Sequence, residues 1–155
     1  MKAGKLVRVA VCGGGAVAQA RHLPEYAANP NAGIAGILDF NRERAEELCE
    51  RYGGRAYASL EEVLEDETVD AVSVCTPNVT HADYTIRALK AGKHVLVENP
   101  MALDLTETRA MIEAQKETGK ILMLGHNQRL VKAHVKAKEL LREGAIGELL
   151  FFQCN

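Results

Sequence analysis

The chain has 155 residues, of which 47% are hydrophobic and 26% are charged, and its formal net charge at pH 7 is −2. That length fits one domain with a full core, and the balanced charge argues against nucleic acid or a membrane surface as a partner. No apolar run approaches the ~20 residues of a membrane span, and no signal peptide is expected ahead of the first strand pattern.

The first predicted element is a strand that ends in a glycine turn. The apolar run Leu6–Cys12 stops at Gly13, and a helix-compatible segment begins after Gly15. This spacing satisfies G-x-G-x-x-[G/A]: the first glycine allows a sharp turn, the second lets a pyrophosphate approach, and the last small residue lets helix and strand pack closely. The N–H groups at the helix start would face the phosphate charge. The motif predicts a dinucleotide site at Gly13, Gly15, Ala16, Val17 and Ala18.

The following elements alternate in type. A helix is predicted over 16–28, with a kink or a fresh start at Pro24. A strand over 33–38 ends at Asp39, and a helix follows over 41–52, closed by two glycines.

The rest of the chain continues the alternation. Ser59 with Glu62, and Asp104 with Glu107, have the form of capping boxes that open helices. In order, the remaining predicted elements are a strand at 55–58, a short helix from 59, a strand at 70–75, a helix at 80–91, a strand at 94–97, a helix from 104 to about 119, a strand at 121–124, a helix at 129–143 and a strand at 147–152.

This alternation, with strands that are continuous apolar runs, predicts an α/β fold. Such strands belong to a parallel sheet that helices cover on both faces. We therefore expect a doubly wound Rossmann sheet in three layers, with the glycine turn after its first strand.

Asp39 is the second candidate cofactor residue. It ends the second strand a little over ~20 residues after the glycine turn, where an acid can accept hydrogen bonds from the adenosine ribose. Its charge would repel a 2′-phosphate, which favours NAD over NADP. Arg42 keeps NADP possible, because a guanidinium can pair with a phosphate. The alternative role for Asp39 is a turn or cap residue.

Three further groups of polar residues follow successive apolar strands. The carboxyl ends of parallel strands share one edge of the sheet, where ligands bind in open α/β folds. The three groups therefore favour a site over simple turn formation. They are Thr76, Pro77 and Asn78; Glu98, Asn99 and Pro100; and His126, Asn127 and Arg129.

The cysteines and the other histidines predict no metal site. Cys12, Cys49, Cys75 and Cys154 form no C-x-x-C pair, so we expect small buried hydrophobes in a reducing, cytoplasmic setting. His22, His94 and His134 have no metal-ligand spacing, and we expect them to be structural or exposed.

Taken together, these motifs resemble the Gfo/Idh/MocA oxidoreductases, which include glucose–fructose oxidoreductase and inositol dehydrogenase. The resemblance covers essentially the whole chain. It is carried by Gly13–Ala18, Asp39, Cys75–His81, Ala91–Pro100 and Gly144–Leu149.

The resemblance implies an N-terminal NAD(P)-binding domain of an enzyme that transfers a hydride to or from a sugar- or cyclitol-like hydroxyl or carbonyl. Gly13, Gly15 and Ala18 would hold the pyrophosphate and Asp39 the adenosine ribose. Glu98 would bond the nicotinamide-side ribose. Cys75, Thr76, Pro77, Asn78 and His81 would line the cofactor path, with Asn127 and Arg129 nearer the nicotinamide and substrate. A structural alternative for His81 is packing at its helix start.

Two departures from the family pattern limit the expected chemistry. The family motif is Glu-Lys-Pro, and Asn99 stands at the lysine, which makes Asn99 the candidate catalytic residue. An amide hydrogen-bonds but does not act as an acid or base near neutral pH. The family also continues into a second, β-sheet domain. We expect residues 1–147 to form the Rossmann domain and 148–155 to be the first strand of that further domain.

These departures leave alternatives open. The chain is expected to be catalytically incomplete, so that a polyol or sugar is a partner only with the second domain present. A non-catalytic dinucleotide sensor or scaffold is the main alternative, and an S-adenosylmethionine-dependent methyltransferase fits less well. An unpaired apolar strand at 149–152 also predicts a homo-oligomer through this segment.

Overall fold

The structure is a computed structural model that describes residues 6–153. Its strands are β1 (Val7–Cys12), β2 (Ala32–Leu38), β3 (Arg55–Tyr57), β4 (Ala71–Val74), β5 (His94–Val97) and β6 (Leu122–Leu124). Its α-helices are α1 (Leu23–Ala28), α2 (Arg42–Tyr52), α3 (Leu60–Glu65), α4 (His81–Lys90), α5 (Leu105–Thr118) and α6 (Lys132–Arg142).

The six strands form one parallel sheet in the order β3-β2-β1-β4-β5-β6. The order reverses between β1 and β4, and this switch point is where doubly wound sheets leave a crevice for a ligand. Each predicted strand from the first to the sixth is present. The Rossmann fold expected from the alternation is confirmed.

Short polar side chains cap the helices as their sequence predicts. The Ser59 hydroxyl accepts from the Glu62 N–H at 3.3 Å, and the Asp104 carboxylate accepts from the Glu107 N–H at 2.8 Å. Asn41 caps α2 in the same way, through the Arg44 N–H. These contacts satisfy N–H groups that have no partner within the helix.

The helix after the glycine turn is not a uniform α-helix. A π-helical segment, Ala18–His22, precedes α1, and its widened turn closes with a bond from the Leu23 N–H to the Ala18 carbonyl. Pro24 lies in the first turn of α1, where its missing N–H is tolerated. The irregularity expected at Pro24 thus takes the form of a π segment directly before it.

Two buried clusters lie on the sheet. The larger includes Val72, Val74, Leu89 and Met111, between the sheet and the helices α4 and α5. The smaller contains Val11, Ala18, Leu23, Ile37 and Leu48, between the sheet, the π segment and the helices α1 and α2. Helices therefore cover both faces, as three layers require.

The chain divides into two compact units, one ending at Gly125 and the other beginning at His126. The second unit contains a 3₁₀ turn, Asn127–Leu130, and α6, where the sequence predicted one helix over 129–143. The predicted strand at 147–152 is wrong for the described residues, which have no regular structure there. A strand exists only where a neighbouring strand supplies hydrogen bonds, and an apolar pattern cannot supply one.

Within residues 6–153, no helix is long and apolar enough to cross a membrane.

Candidate functional site

The glycine turn joins β1 to the π segment through a sharply bent backbone. Gly13 has φ +96°, and a Cβ placed there would lie 2.5 Å from the Cys75 carbonyl oxygen. Its N–H donates to the Leu38 carbonyl at 2.7 Å, which ties the turn to the end of β2. A Cβ at Gly15 would meet nothing within 4 Å, so the space there is open. The predicted roles of a tight turn and an open approach fit this geometry.

Asp39 is fixed against this turn. One carboxylate oxygen accepts from the Gly14 N–H at 2.7 Å, and the other accepts from the Asn41 N–H at 2.8 Å. The Arg44 guanidinium lies 3.5 Å from the same carboxylate. Only 3% of the Asp39 side chain is exposed. The acid is therefore held in one orientation at the end of β2, with its charge partly balanced by Arg44.

A cavity of about 840 Å³ opens at the carboxyl edge of the sheet beside this carboxylate. It brings together seven of the residues that the sequence singled out, namely Gly13, Gly15, Asp39, Arg42, Cys75, Thr76 and Pro77. The volume is within the range of small-molecule and cofactor sites.

Several residues that line the cavity were missed by the sequence analysis. Phe40 is 91% exposed, and the Arg44 guanidinium lies 5.7 Å from its ring centroid. Thr80, the residue before α4, and Tyr84 and Arg87 of α4 also line the cavity. Their spacing of four and three residues places them on one face of a helix, and this pattern could have identified them. Arg87 pairs with Glu61 and Asp83.

His81 supports the site from below and does not line the cavity. Its ring is buried, with Nε2 2.8 Å from the Thr76 carbonyl oxygen and Nδ1 2.7 Å from the Pro100 carbonyl oxygen. It thereby connects the loops after β4 and β5. This bridging place agrees with the alternative of a packed helix-start residue, because both ring nitrogens face backbone oxygens. The predicted place of His81 along the cofactor path stays a prediction.

The small residues after the glycine turn differ in their surroundings. Ala18 is fully buried in the cluster that contains Val11 and Ile37, as its role in close packing requires. Ala16 and Val17 are exposed beside the turn, and Asn78 begins the 3₁₀ turn that leads into α4.

Glu98 and Asn99 follow β5 at the same edge of the sheet. One Glu98 carboxylate oxygen lies 2.7 Å from His22 Nε2, and the other accepts from the Asn99 N–H at 3.1 Å. The Glu98 side chain is 19% exposed, whereas Asn99 is fully on the surface. The sequence predicted both as site residues, but it gave no sign that His22 contacts Glu98.

His22 begins a chain of buried polar contacts below this edge. Its Nδ1 lies 2.8 Å from the Ser73 hydroxyl, which accepts a hydrogen bond from the Tyr26 hydroxyl at 3.2 Å. Only 7% of His22 is exposed, so of the two predicted possibilities, structural or exposed, the exposed one is wrong, and its partners were not predicted.

The cysteines near the site are protonated hydrophobes. Cys12 and Cys75 are buried, and burial raises the pKa of both thiols, that of Cys75 to about 12. Cys49 is half-buried. Cys154 lies outside the described residues. Among those residues, no cluster of three or more acidic, histidine or cysteine side chains could hold a metal ion.

Asn127 and Arg129 lie in the 3₁₀ turn of the second unit. Their predicted place near the nicotinamide and substrate stays a prediction.

Comparison with known proteins identifies relatives of this arrangement. The sequence model of the Gfo/Idh/MocA group, described as an oxidoreductase family with an NAD-binding Rossmann fold, matches residues 7–126. A dTDP-3,4-didehydro-2,6-dideoxy-α-D-glucose 3-reductase from Actinomadura kijaniata is 36% identical over 154 residues, which are 96% of this chain and 45% of that protein. A scyllo-inositol 2-dehydrogenase (NAD⁺) from Bacillus subtilis is 36% identical over 125 residues, 80% of this chain and 36% of the enzyme.

A solved structure gives the same result in three dimensions. The 3-ketoreductase from Actinomadura kijaniata in complex with NADP superimposes with a TM-score of 0.87 at 36% identity, covering 92% of this chain and 45% of that one. The chain thus spans less than half the length of these relatives.

Proposed function

Because the chain belongs to the Gfo/Idh/MocA oxidoreductase family and has its NAD-binding Rossmann fold, we propose that it serves as the cofactor half of a sugar or cyclitol oxidoreductase. The observation that carries the proposal is the Asp39 carboxylate, held by the Gly14 and Asn41 N–H groups at the wall of the cavity. In this role Asp39 accepts hydrogen bonds from the adenosine ribose, and the pyrophosphate lies over Gly15.

We propose NAD as the preferred cofactor. A carboxylate at the ribose position repels a 2′-phosphate, and the Arg44 guanidinium that could offset this repulsion already contacts Asp39. Arg42 is engaged with Glu46 at 2.7 Å. Both cations near the ribose position therefore have carboxylate partners. A relative bound to NADP shows that the family accommodates either cofactor, so the preference depends on these local charges.

The test is titration of the chain with NADH and NADPH, followed by the nicotinamide fluorescence. We expect NADH to bind at least about tenfold more tightly, which corresponds to ~1.4 kcal/mol. Asp39→Ala should weaken NADH binding and narrow the gap to NADPH. Glu113→Ala, which removes an equal charge from the exposed face of α5, is the matched control and should change neither affinity. Failure of the wild-type chain to bind NADH would contradict the proposal.

At the nicotinamide end, we propose that Glu98 accepts hydrogen bonds from the second ribose. Its carboxylate has about four lone-pair positions, and the two protein contacts leave room for ribose hydroxyls. Thr76 and Pro77, from the loop after β4, line the cavity, and in this proposal they lie along the path of the cofactor. NAD supplies the hydride-transfer chemistry when bound, and these residues orient it.

Asn99 supports a second candidate function, a dinucleotide-binding sensor or scaffold without turnover. It occupies the exposed position at which the family resemblance implies a lysine. The amide cannot take the proton of a substrate hydroxyl, so alcohol oxidation by the chain should be negligible. Formation of NADH with a panel of polyols, measured at 340 nm, checks this, and robust turnover would reject the sensor.

Self-association through residues 149–152 also stays a proposal. Light scattering at high concentration tests it, and a monomer would count against it.

A further inference from the structure

We propose that His22 is a positioning residue that fixes the Glu98 carboxylate for the nicotinamide-side ribose. The inference rests on the proposed function, in which Glu98 contacts that ribose. It assigns a role to a buried histidine 76 positions away in the sequence, whose side chain lies beneath the carboxyl edge of the sheet.

Two hydrogen bonds hold the Glu98 carboxylate. His22 Nε2 is 2.7 Å from one oxygen, and the Asn99 N–H binds the other. Gly125, directly after β6, lies beside the carboxylate, because a Cβ placed there would lie 3.2–3.4 Å from its atoms. The carboxylate therefore has little rotational freedom, although 19% of the side chain is open to a ligand.

The hydrogen-bond inventory determines which His22 nitrogen carries a proton. An ionised carboxylate only accepts, so Nε2 must donate to Glu98. At the other side of the ring, the Ser73 hydroxyl accepts from Tyr26, and its own proton can go to Nδ1 at 2.8 Å, which is closer than the other neighbour of the hydroxyl, the Cys75 sulfur at 3.7 Å. Tyr26, Ser73 and His22 thus form a hydrogen-bonded series, buried at Ser73 and His22 and half-buried at Tyr26, in which each group donates toward Glu98. The last bond, to a charged acceptor, is the strongest of the series.

The π segment that ends at His22 sets the direction of the His22 side chain. A π turn takes one residue more than an α turn, so it rotates the following side chains by about 100° relative to a continuous α-helix. The π segment ends at His22, and its side chain is buried toward Ser73 of β4. π segments within helices are frequent at functional sites.

Packing alone does not explain a histidine here. The buried imidazole of His22 and the buried hydroxyl of Ser73 lose their bonds to water, and apolar residues of similar volume would fill the same space at lower cost. The series ends at Glu98, whose side chain is partly exposed. Fixing the orientation of this carboxylate is useful for ligand binding. A carboxylate that is already oriented loses little conformational entropy when a ribose binds.

The experiment compares His22→Gln with His22→Asn, whose side-chain nitrogens lie at different distances from the backbone. The side-chain nitrogen of glutamine can occupy the place of histidine Nε2 and donate to Glu98. The shorter asparagine reaches only the place of Nδ1, near Ser73. Each protein is titrated with NADH and, separately, with ADP, which has the adenosine and pyrophosphate but no nicotinamide ribose.

We expect His22→Asn to weaken NADH binding roughly tenfold and ADP binding less than twofold, while His22→Gln stays within about threefold of wild type for NADH. Thr85→Val is the matched control: Thr85 is equally buried on α4, outside this series, and the change should leave both affinities unchanged. Equal NADH affinity in His22→Asn and wild type would overturn the inference, as would parallel loss of NADH and ADP binding.

A measurement on the wild-type chain covers the case in which His22→Asn does not fold. In ¹⁵N-labelled protein, the His22 Nε2 proton should be protected from exchange and should shift on addition of NADH but not of ADP. An Nε2 without a proton, or equal shifts with both ligands, would reject the role. If wild type binds ADP but not NADH, or neither, the proposed function fails first, and the two failures are distinguishable.

Discussion

Two carboxylates at one edge of the sheet are held in different ways. Asp39, at the end of β2, takes its contacts from the Gly14 and Asn41 N–H groups and from Arg44, all of them in the glycine turn or within five residues of Asp39. Glu98, at the end of β5, takes its main side-chain contact from His22, across the sheet edge and 76 positions away.

The difference lies in what each contact depends on. Asp39 is oriented by backbone donors that exist whenever β1, β2 and the glycine turn form. Glu98 is oriented by a side chain that is in place only when the π segment, β4 and β5 have all packed together. The orientation of Asp39 is therefore set by the fold, while the orientation of Glu98 depends on particular side chains that substitution can remove.

Substitution in the glycine turn should have the largest effect on the region around Asp39. Gly13→Ala should lower the free energy of unfolding by on the order of 3 kcal/mol, because the left-handed backbone is strained for alanine and the methyl would overlap the Cys75 carbonyl. Gly15→Ala is the control, since its Cβ meets no atom within 4 Å. It should unfold like wild type in urea, yet bind NADH more weakly. Equal stability of the two variants would contradict the assigned strain.

Neutralising each carboxylate compares the two sides directly. Asp39→Asn must turn its NH₂ group toward one of two backbone donors and leave it unpaired, which should cost about 1–3 kcal/mol of unfolding free energy. Glu98→Gln can keep its carbonyl oxygen toward His22 and place its NH₂ group at the Asn99 N–H, which belongs to an exposed residue and can bond to water instead, so it should cost less than about 1 kcal/mol. Urea unfolding followed by circular dichroism measures both values. A larger loss in Glu98→Gln would reverse the comparison.

Thr85 has a buried hydroxyl that is not part of the Tyr26–Ser73–His22 series, and we expect it to lower the stability of the fold. Among residues 6–153, no group hydrogen-bonds to the Thr85 Oγ1, in contrast to the Ser73 hydroxyl in β4. Thr85→Val keeps the branched shape and removes the unpaired group, so it should raise the free energy of unfolding by about 1 kcal/mol. Ser73→Ala should lower it. A loss of stability in Thr85→Val, measured by thermal unfolding, would indicate a partner for the hydroxyl.

The smallest expected effect concerns the Cys75 thiol, which lies beside the Tyr26–Ser73–His22 series. Burial raises the pKa of Cys75 to about 12, and the Glu98 charge adds to the shift. Only the thiolate reacts, so alkylation of Cys75 by iodoacetamide should rise about tenfold per pH unit from pH 8 towards 11, without a plateau. Mass spectrometry of the labelled peptide gives the rate, with half-buried Cys49 as the internal reference. A plateau of the alkylation rate below pH 10 would mean that the Cys75 thiol is open to water.

Much of the fold could be predicted because its signals are local. Apolar runs located all six strands of the sheet, and the capping residues Ser59 and Asp104 set helix starts within a residue or two. Glycine spacing and Asp39 located one side of the cavity for the same reason. The predicted strand at 147–152 failed because strand formation needs a pairing partner, which an apolar pattern does not specify.

The sequence by itself determined the alternation of strands and helices, the glycine turn and the acid after β2, because each depends on residues a few positions apart. Only the tertiary structure decided the surroundings of Glu98, the bridging place of His81 and the α4 wall of the cavity. Those depend on which side chains meet when distant strands and helices pack, and no local spacing records that His22 would reach Glu98. The physical reason is that the spacing of apolar residues determines which face of a helix or strand is buried, whereas tertiary packing determines which other elements lie against that face.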